Sequence, residues 1–214
     1  VEDLDAEGLK VRALALAQLA SRKPDLAEET EAALRAALAV QDADPNLLFA
    51  LAQILQNTGE LEEAETIAAG LRQGRSGNPR LTAFHAGLLR DLGRTEEATE
   101  LYSQCVDGGP AASMCRDALV EMLVELDRPG DAGEVMLGWL GDVDLDSLMR
   151  AAVLLWEGGR LEESLDTVQR VLVKAPDSVR AQKLEAHLLS TWGLHDEAVD
   201  RLQRVLRKNP NDID

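Results

Sequence analysis

The chain repeats itself at an almost constant interval. Thr58-Gly59-Glu60-Leu61-Glu62-Glu63-Ala64 returns one period later as Leu92-Gly93-Arg94-Thr95-Glu96-Glu97-Ala98, and Gly159-Arg160-Leu161-Glu162-Glu163-Ser164 returns as Gly193-Leu194-His195-Asp196-Glu197-Ala198. A weaker copy, Asp127-Arg128-Pro129-Gly130-Asp131-Ala132, stands between them. From Ala64 to Ala98 to Ala132 each step is 34, then 32 to Ser164 and 34 to Ala198. The two missing positions are assigned to the connection 141–144. A period of this length means that each repeat is one supersecondary unit, which hides its apolar side only by stacking on its neighbours.

The same register returns a leucine upstream of each turn, at Leu55, Leu89, Leu123, Leu155 and Leu189. Ile54, Leu88, Met122, Leu154 and Leu188 precede them, and three positions before each leucine stands a short side chain: Ala52, Ala86, Val120, Ala152 and Ala186. Paired with Ala64, Ala98, Ala132, Ser164 and Ala198, these allow two helices to approach at the near end of the usual ~8–10 Å spacing. Leu47, Leu51, Ile54 and Leu55, then Leu61, Ala64, Ala68 and Leu71, recur at three and four, a helical stripe and not a strand. Gly59, Gly93, Gly159 and Gly193 fall just past the first helix, where a left-handed residue ends it at little cost. Pro45, Pro79, Pro110, Pro176 and Pro210 fall between units and are expected to stop the second helix. Hydrophobic residues at 45% and charged residues at 29% suit a folded chain, and aromatics at only 3% argue against a β-sandwich or barrel.

Helical hairpins repeating at this period, with small residues where the two helices touch, Gly at the turn and Pro at the end, resemble the tetratricopeptide repeat (TPR) family. The resemblance covers five units, 45–78, 79–112, 113–144, 145–178 and 179–214. It departs from the family in having aliphatics where family aromatics stand, and in placing Asp127 and Pro129-Gly130 where the third unit would carry its Gly turn. Residues 6–44 form a degenerate pair, with helices over 6–20 and 25–40 joined by Ser21-Arg22-Lys23-Pro24. The expected fold is all-α, a right-handed α-α superhelix of about six antiparallel helix pairs, one TPR solenoid domain over 1–214.

The resemblance also implies a concave wall built from the first helix of each pair, on which family members bind extended or helical segments. By register the candidate groove residues are Phe49, Gln53, Gln56, Asn57, Arg90, Glu121, Met149, Trp156 and His187. The Lys and Asn four positions apart with which one branch of the family grips a terminal carboxylate are missing: the matching pairs include Phe49 with Gln53 and Lys183 with His187. Apolar anchors Phe49, Met149 and Trp156 interleaved with Glu121, Glu125 and Glu157 point to a protein or peptide segment carrying apolar and basic residues. Trp156 belongs either to this wall or to the inter-helix core. The alternatives to a binding scaffold are self-assembly through the terminal helices and an accessory domain of a larger enzyme. The helix over 195–208 carries Ala198, Val199, Leu202, Val205 and Leu206 with no capping helix after it, so either the polypeptide continues or this end packs on something else.

Thirty-nine acidic against 22 basic side chains give a formal charge of −17. That field repels phosphate backbones and anionic lipid, which disfavours nucleic-acid and membrane-surface binding. The longest apolar stretches, such as 13–20 and 151–156, fall short of the ~18 residues of a membrane span. No basic, apolar leader opens the chain and no Met precedes Val1, the pattern expected of a processed chain or an expressed fragment. The compartment stays open between cytoplasm and periplasm. His85, His187 and His195 share no metal spacing; His85 suits an inter-helix position and His187 the groove. Cys105 and Cys115 are ten apart, either two buried thiols or a disulfide that would imply an oxidising compartment. Asp142, Asp144 and Asp146 imitate the opening of a calcium loop, but Ser147 and Val153 stand where the required Gly and Glu would be, so Asp144 or Asp146 is read as a helix cap. No phosphate loop or nucleophile elbow is present. No catalytic residue, cofactor or metal is expected.

Overall fold

A computed structural model describes residues 5–41, 43–74, 77–106, 112–139 and 144–208. The regular structure there is helical: α1 (Ala6–Ala20), α2 (Ala27–Val40), α3 (Pro45–Thr58), α4 (Leu61–Gly74), α5 (Pro79–Asp91), α6 (Thr95–Cys105), α7 (Ser113–Glu125), α8 (Pro129–Leu137), α9 (Leu145–Glu157), α10 (Leu161–Lys174), α11 (Val179–Thr191) and α12 (His195–Lys208), with one 3₁₀ turn at Pro24–Leu26. The helices gather into two compact units, Val1–Cys115 and Arg116–Asp214, and the division falls in the first turn of α7, at the start of the third repeat.

In the first unit α1 packs on α2 and α3, and α2 through α6 pack each on the next. Its core is the wholly buried Leu34, Leu47, Leu55 and Leu88 with Ala13, Ala37, Ala64 and Ala68 between them. In the second unit α8 through α12 pack in succession, around Leu148, Val168, Val171, Leu184 and Leu188. The short residues of the repeat all lie in these interiors: Ala52, Ala86, Val120, Ala152 and Ala186 opposite Ala64, Ala98, Ala132, Ser164 and Ala198 are buried without exception. Ser164 is the polar member of the series, and its hydroxyl donates to the Ala152 carbonyl at 2.7 Å, so no orphan group is created.

The hairpin turn is one geometry used five times. Gly59, Gly93, Gly159 and Gly193 have φ of 91°, 73°, 75° and 80°. The amide after each reaches back to the first helix, Glu60 to Leu55, Arg94 to Leu89 and Arg160 to Leu155 at 2.8 Å and Leu194 to Leu189 at 2.9 Å, closing its last turn. In the third unit Asp127 takes φ 57° and Arg128 reaches Leu123 at 2.8 Å. The departure from Gly therefore leaves the turn intact, because Asp is among the few side chains that tolerate this region. Pro129 and Gly130 are not turn residues but the first two of α8.

Two further signals complete the punctuation. Contrary to the expectation from sequence, Pro45 and Pro79 do not stop the preceding helix; each is the first residue of the next, where its missing amide is one that would lack a partner anyway. Pro176 does lie between α10 and α11, while Pro110, Pro210 and residues 141–143 of the shortened connection lie outside the described residues. First helices open on a side-chain cap: Asp5, Asp44, Asn78, Asp144 and Ser178 accept backbone amides from α1, α3, α5, α9 and α11. Three of the second helices, α6, α8 and α10, open instead on an arginine paired three positions on, Arg94 with Glu97, Arg128 with Asp131 and Arg160 with Glu163, each at 2.6 Å.

At one helix crossing the backbones leave no room for a side chain. A Cβ added to Gly158 would sit 2.3 Å from the Gly130 nitrogen and 2.4 Å from its Cα, and one added to Gly133 would sit 2.8 Å from Leu155 Cγ. The third unit's second helix thus meets the fourth unit's first helix backbone to backbone.

Candidate functional site

The first helices of neighbouring pairs share a face, and side chains bridge them across it. In the first unit Phe49 of α3 meets Phe84 of α5 with ring centroids 4.9 Å apart and planes tilted by 60°. The Arg80 guanidinium lies 5.2 Å from the Phe49 centroid, a cation–π contact. Gln56 Nε2 donates to Asp91 Oδ2 at 2.8 Å, and Arg90 Nε lies 3.7 Å from Asp91 Oδ1. Gln53, Asn57 and Arg90 are exposed on this face, Gln56 and Phe49 half-buried. A cleft of about 130 Å³ opens beside Phe49, lined by Pro45, Asn46, Leu71, Asn78, Arg80 and Leu81.

In the second unit Trp156 of α9 stacks on His187 of α11, with centroids 5.8 Å apart and planes at 27°. His187 is exposed. Trp156 is half-buried and packs on the cluster around Leu148, Val168 and Leu188 while also meeting His187. Glu121, Glu125 and Glu157 are exposed. Met149, expected as a groove anchor, is only 4% exposed and lies inside that same cluster; the position in register with Phe49 has turned inward, and a flexible thioether fills the space.

Other polar groups are spent on the fold. His85 is buried between α4 and α5, its Nε2 2.9 Å from Glu65 Oε1, which Arg94 also approaches at 3.5 Å. The buried Glu185 takes Arg201 of α12 at 3.2 Å. The Asp44 cap accepts from Asn46 and Leu47 and pairs with Lys10 at 2.8 Å; Lys10 first, then the two amides, hold its carboxyl below the usual range against the opposing effect of burial. Asp144 caps α9 by accepting from Asp146 and Ser147. Cys105 and Cys115 are bonded to each other, with Cα atoms 5.8 Å apart, which ties the end of α6 to the first turn of α7 and replaces the two-thiol alternative. Among the described residues no group of three His, Cys, Asp or Glu side chains could hold a metal ion, and no helix is long and apolar enough to cross a membrane.

Of the residues named from register, Phe49, Gln56, Trp156 and His187 make contacts between neighbouring first helices, while Arg80, Phe84 and Asn46, which register did not name, lie beside Phe49. Arg80 and Asn46 each follow the Pro that opens α5 and α3, and that shared position was the available signal. No protein-family model matches the chain, and no curated protein matches it by sequence. Among solved structures, PilF of Pseudomonas aeruginosa superposes with a TM-score of 0.57 at 18% identity, over 97% of this chain and 95% of that one. A tetratricopeptide repeat protein from Parabacteroides merdae gives 0.59 at 20% identity, over 93% and 79%. YrrB, described as a TPR protein with an unusual peptide-binding site, gives 0.53 at 17% identity, over 84% and 94%. At such identities the likeness is one of fold.

Proposed function

We propose that this chain, which has the tetratricopeptide-repeat fold, is a non-catalytic scaffold that holds protein or peptide segments on the first-helix face of each of its two units. The observation that carries this is where the aromatics are. The chain has six, three Trp, two Phe and one Tyr, and Phe49, Phe84 and Trp156 all make ring contacts between neighbouring first helices. Scarce large rings left half-open beside exposed polar side chains suit recognition, since such rings carry much of the energy at interfaces. YrrB's described peptide-binding site is in keeping with this use of the fold. Exposed Glu121, Glu125 and Glu157 favour Lys or Arg in the part of the partner that meets the second unit. The disulfide favours an oxidising compartment.

The test uses peptides selected from a random display library on the immobilised full chain. Trp156→Ala should weaken a selected peptide by about thirtyfold, equivalent to ~2 kcal/mol. Val173→Ser, on α10 and 81% exposed, should leave binding unchanged. Peptides that bind all three proteins alike would reject the reading.

A further inference from the structure

The cleft beside Phe49 has a chemistry that an apolar anchor alone does not satisfy. Its apolar lining is Pro45, Phe49, Leu71 and Leu81, and at about 130 Å³ it is close to the roughly 150 Å³ that admits a benzene ring, enough for one Leu, Ile, Met or Pro side chain. Arg80 stands at its rim, exposed, and is held over Phe49 by the ring. In a chain of 39 acidic and 22 basic residues, Arg35, Arg94, Arg128, Arg160, Arg201 and Arg204 each hold a carboxylate. Among the described residues Arg80 holds none, and its guanidinium rests on the ring instead. A guanidinium that meets a ring and no carboxylate leaves its N–H donors for a planar carboxylate, the acceptor that this fork geometry fits best. Asn78 has its side-chain oxygen engaged in capping α5, through the amides of Arg80 and Leu81, so it competes for Arg80 with no charge.

We propose that the Phe49–Arg80 cleft is a subsite for an apolar side chain whose immediate neighbour in the bound segment is Asp or Glu, the apolar group entering the cleft and the carboxylate meeting Arg80. This rests on the scaffold reading and adds a charge preference in the first unit opposite to the one the exposed glutamates give the second.

The experiment is a random-peptide selection run in parallel on the full wild-type chain and on the full Arg80→Glu chain. The peptides are fused to their carrier at the C-terminus, so that only side chains offer carboxylates. Arg80 is exposed, so the exchange leaves the core untouched. Wild type should enrich Leu, Ile, Met or Pro beside Asp or Glu, and Arg80→Glu should enrich the same apolar residues beside Lys or Arg. A synthetic wild-type winner should bind Arg80→Glu about tenfold more weakly, the loss of one charge-assisted pair. Winners without an acidic neighbour, or winners that bind both chains equally, overturn the proposal. If those winners are nevertheless lost on Trp156→Ala, the scaffold reading stands and the cleft assignment alone falls; absence of enrichment on either chain counts against both.

Discussion

The Gly130–Gly158 crossing offers the sharpest stability test, because Gly158, Gly159 and Gly138 should respond differently to the same substitution. In Gly158→Ala the new Cβ lands 2.3 Å from the Gly130 nitrogen and 2.4 Å from its Cα, where an ordinary contact needs about 3.5 Å. The two backbones must part by roughly 1.2 Å, and because neither side of the clash is a flexible side-chain end, the cost belongs near the top of the ~1–3 kcal/mol range for overpacking. Gly158 has φ −79° and ψ 5°, which Ala adopts freely, so about 0.5–1 kcal/mol returns through the less disordered unfolded chain. The net loss is about 2 kcal/mol. At Gly159 nothing lies within 4 Å, but φ is +75°, and Ala there should cost about 1 kcal/mol. At Gly138 φ is −61°, and the nearest atom is 3.6 Å from the new Cβ, so Ala should stabilise by about 0.5 kcal/mol. Urea unfolding followed by circular dichroism ranks the three. Gly158→Ala proving milder than Gly159→Ala would refute the close crossing.

Removing the disulfide with Cys105→Ser and Cys115→Ser should lower stability by about 3 kcal/mol for a sequence separation of 10, and reductant should bring the wild type to the same urea midpoint; equal midpoints for oxidised and reduced wild type would contradict it. Ala64→Leu inserts a branched side chain where Ala64 is wholly buried against α3 and should cost about 3 kcal/mol, read from the same midpoint shift. Asp44→Ala should cost about 1 kcal/mol at neutral pH. Because Lys10 and two amides depress the Asp44 carboxyl in the folded state, its contribution is complete above the ordinary unfolded value near 4 and is lost as pH falls through the folded value. The gap between wild type and Asp44→Ala should therefore close in acid, and a gap that widens there would contradict the assignment.

The helical pairs were legible because their cause is local and repeated. Ala64, Ala98 and Ala132 mark a contact that only short side chains allow, and Gly59, Gly93, Gly159 and Gly193 mark a turn whose sign of φ most residues avoid. Asp127 shows the limit of that inference: the turn is a backbone state, and a second residue type can reach it. The Gly130–Gly158 approach was hidden because the two residues sit in different repeats, and Gly130 was read as part of a turn. Met149 was misplaced because register gives a direction to within one helical step, and a few tens of degrees separate an inward face from a core. Arg80 escaped notice for the opposite reason. Its contact is with the ring of Phe49, which belongs to the preceding repeat, and the position after Pro79 marks the place without recording that contact.

Amide hydrogen exchange on the full chain, with and without a library-selected peptide at saturation, tests the central claim most directly. Binding on the first-helix face predicts slowed exchange in α3 and α5 or in α9 and α11, with α4, α6 and α10 unchanged. Protection confined to α12, or to second helices alone, would contradict it.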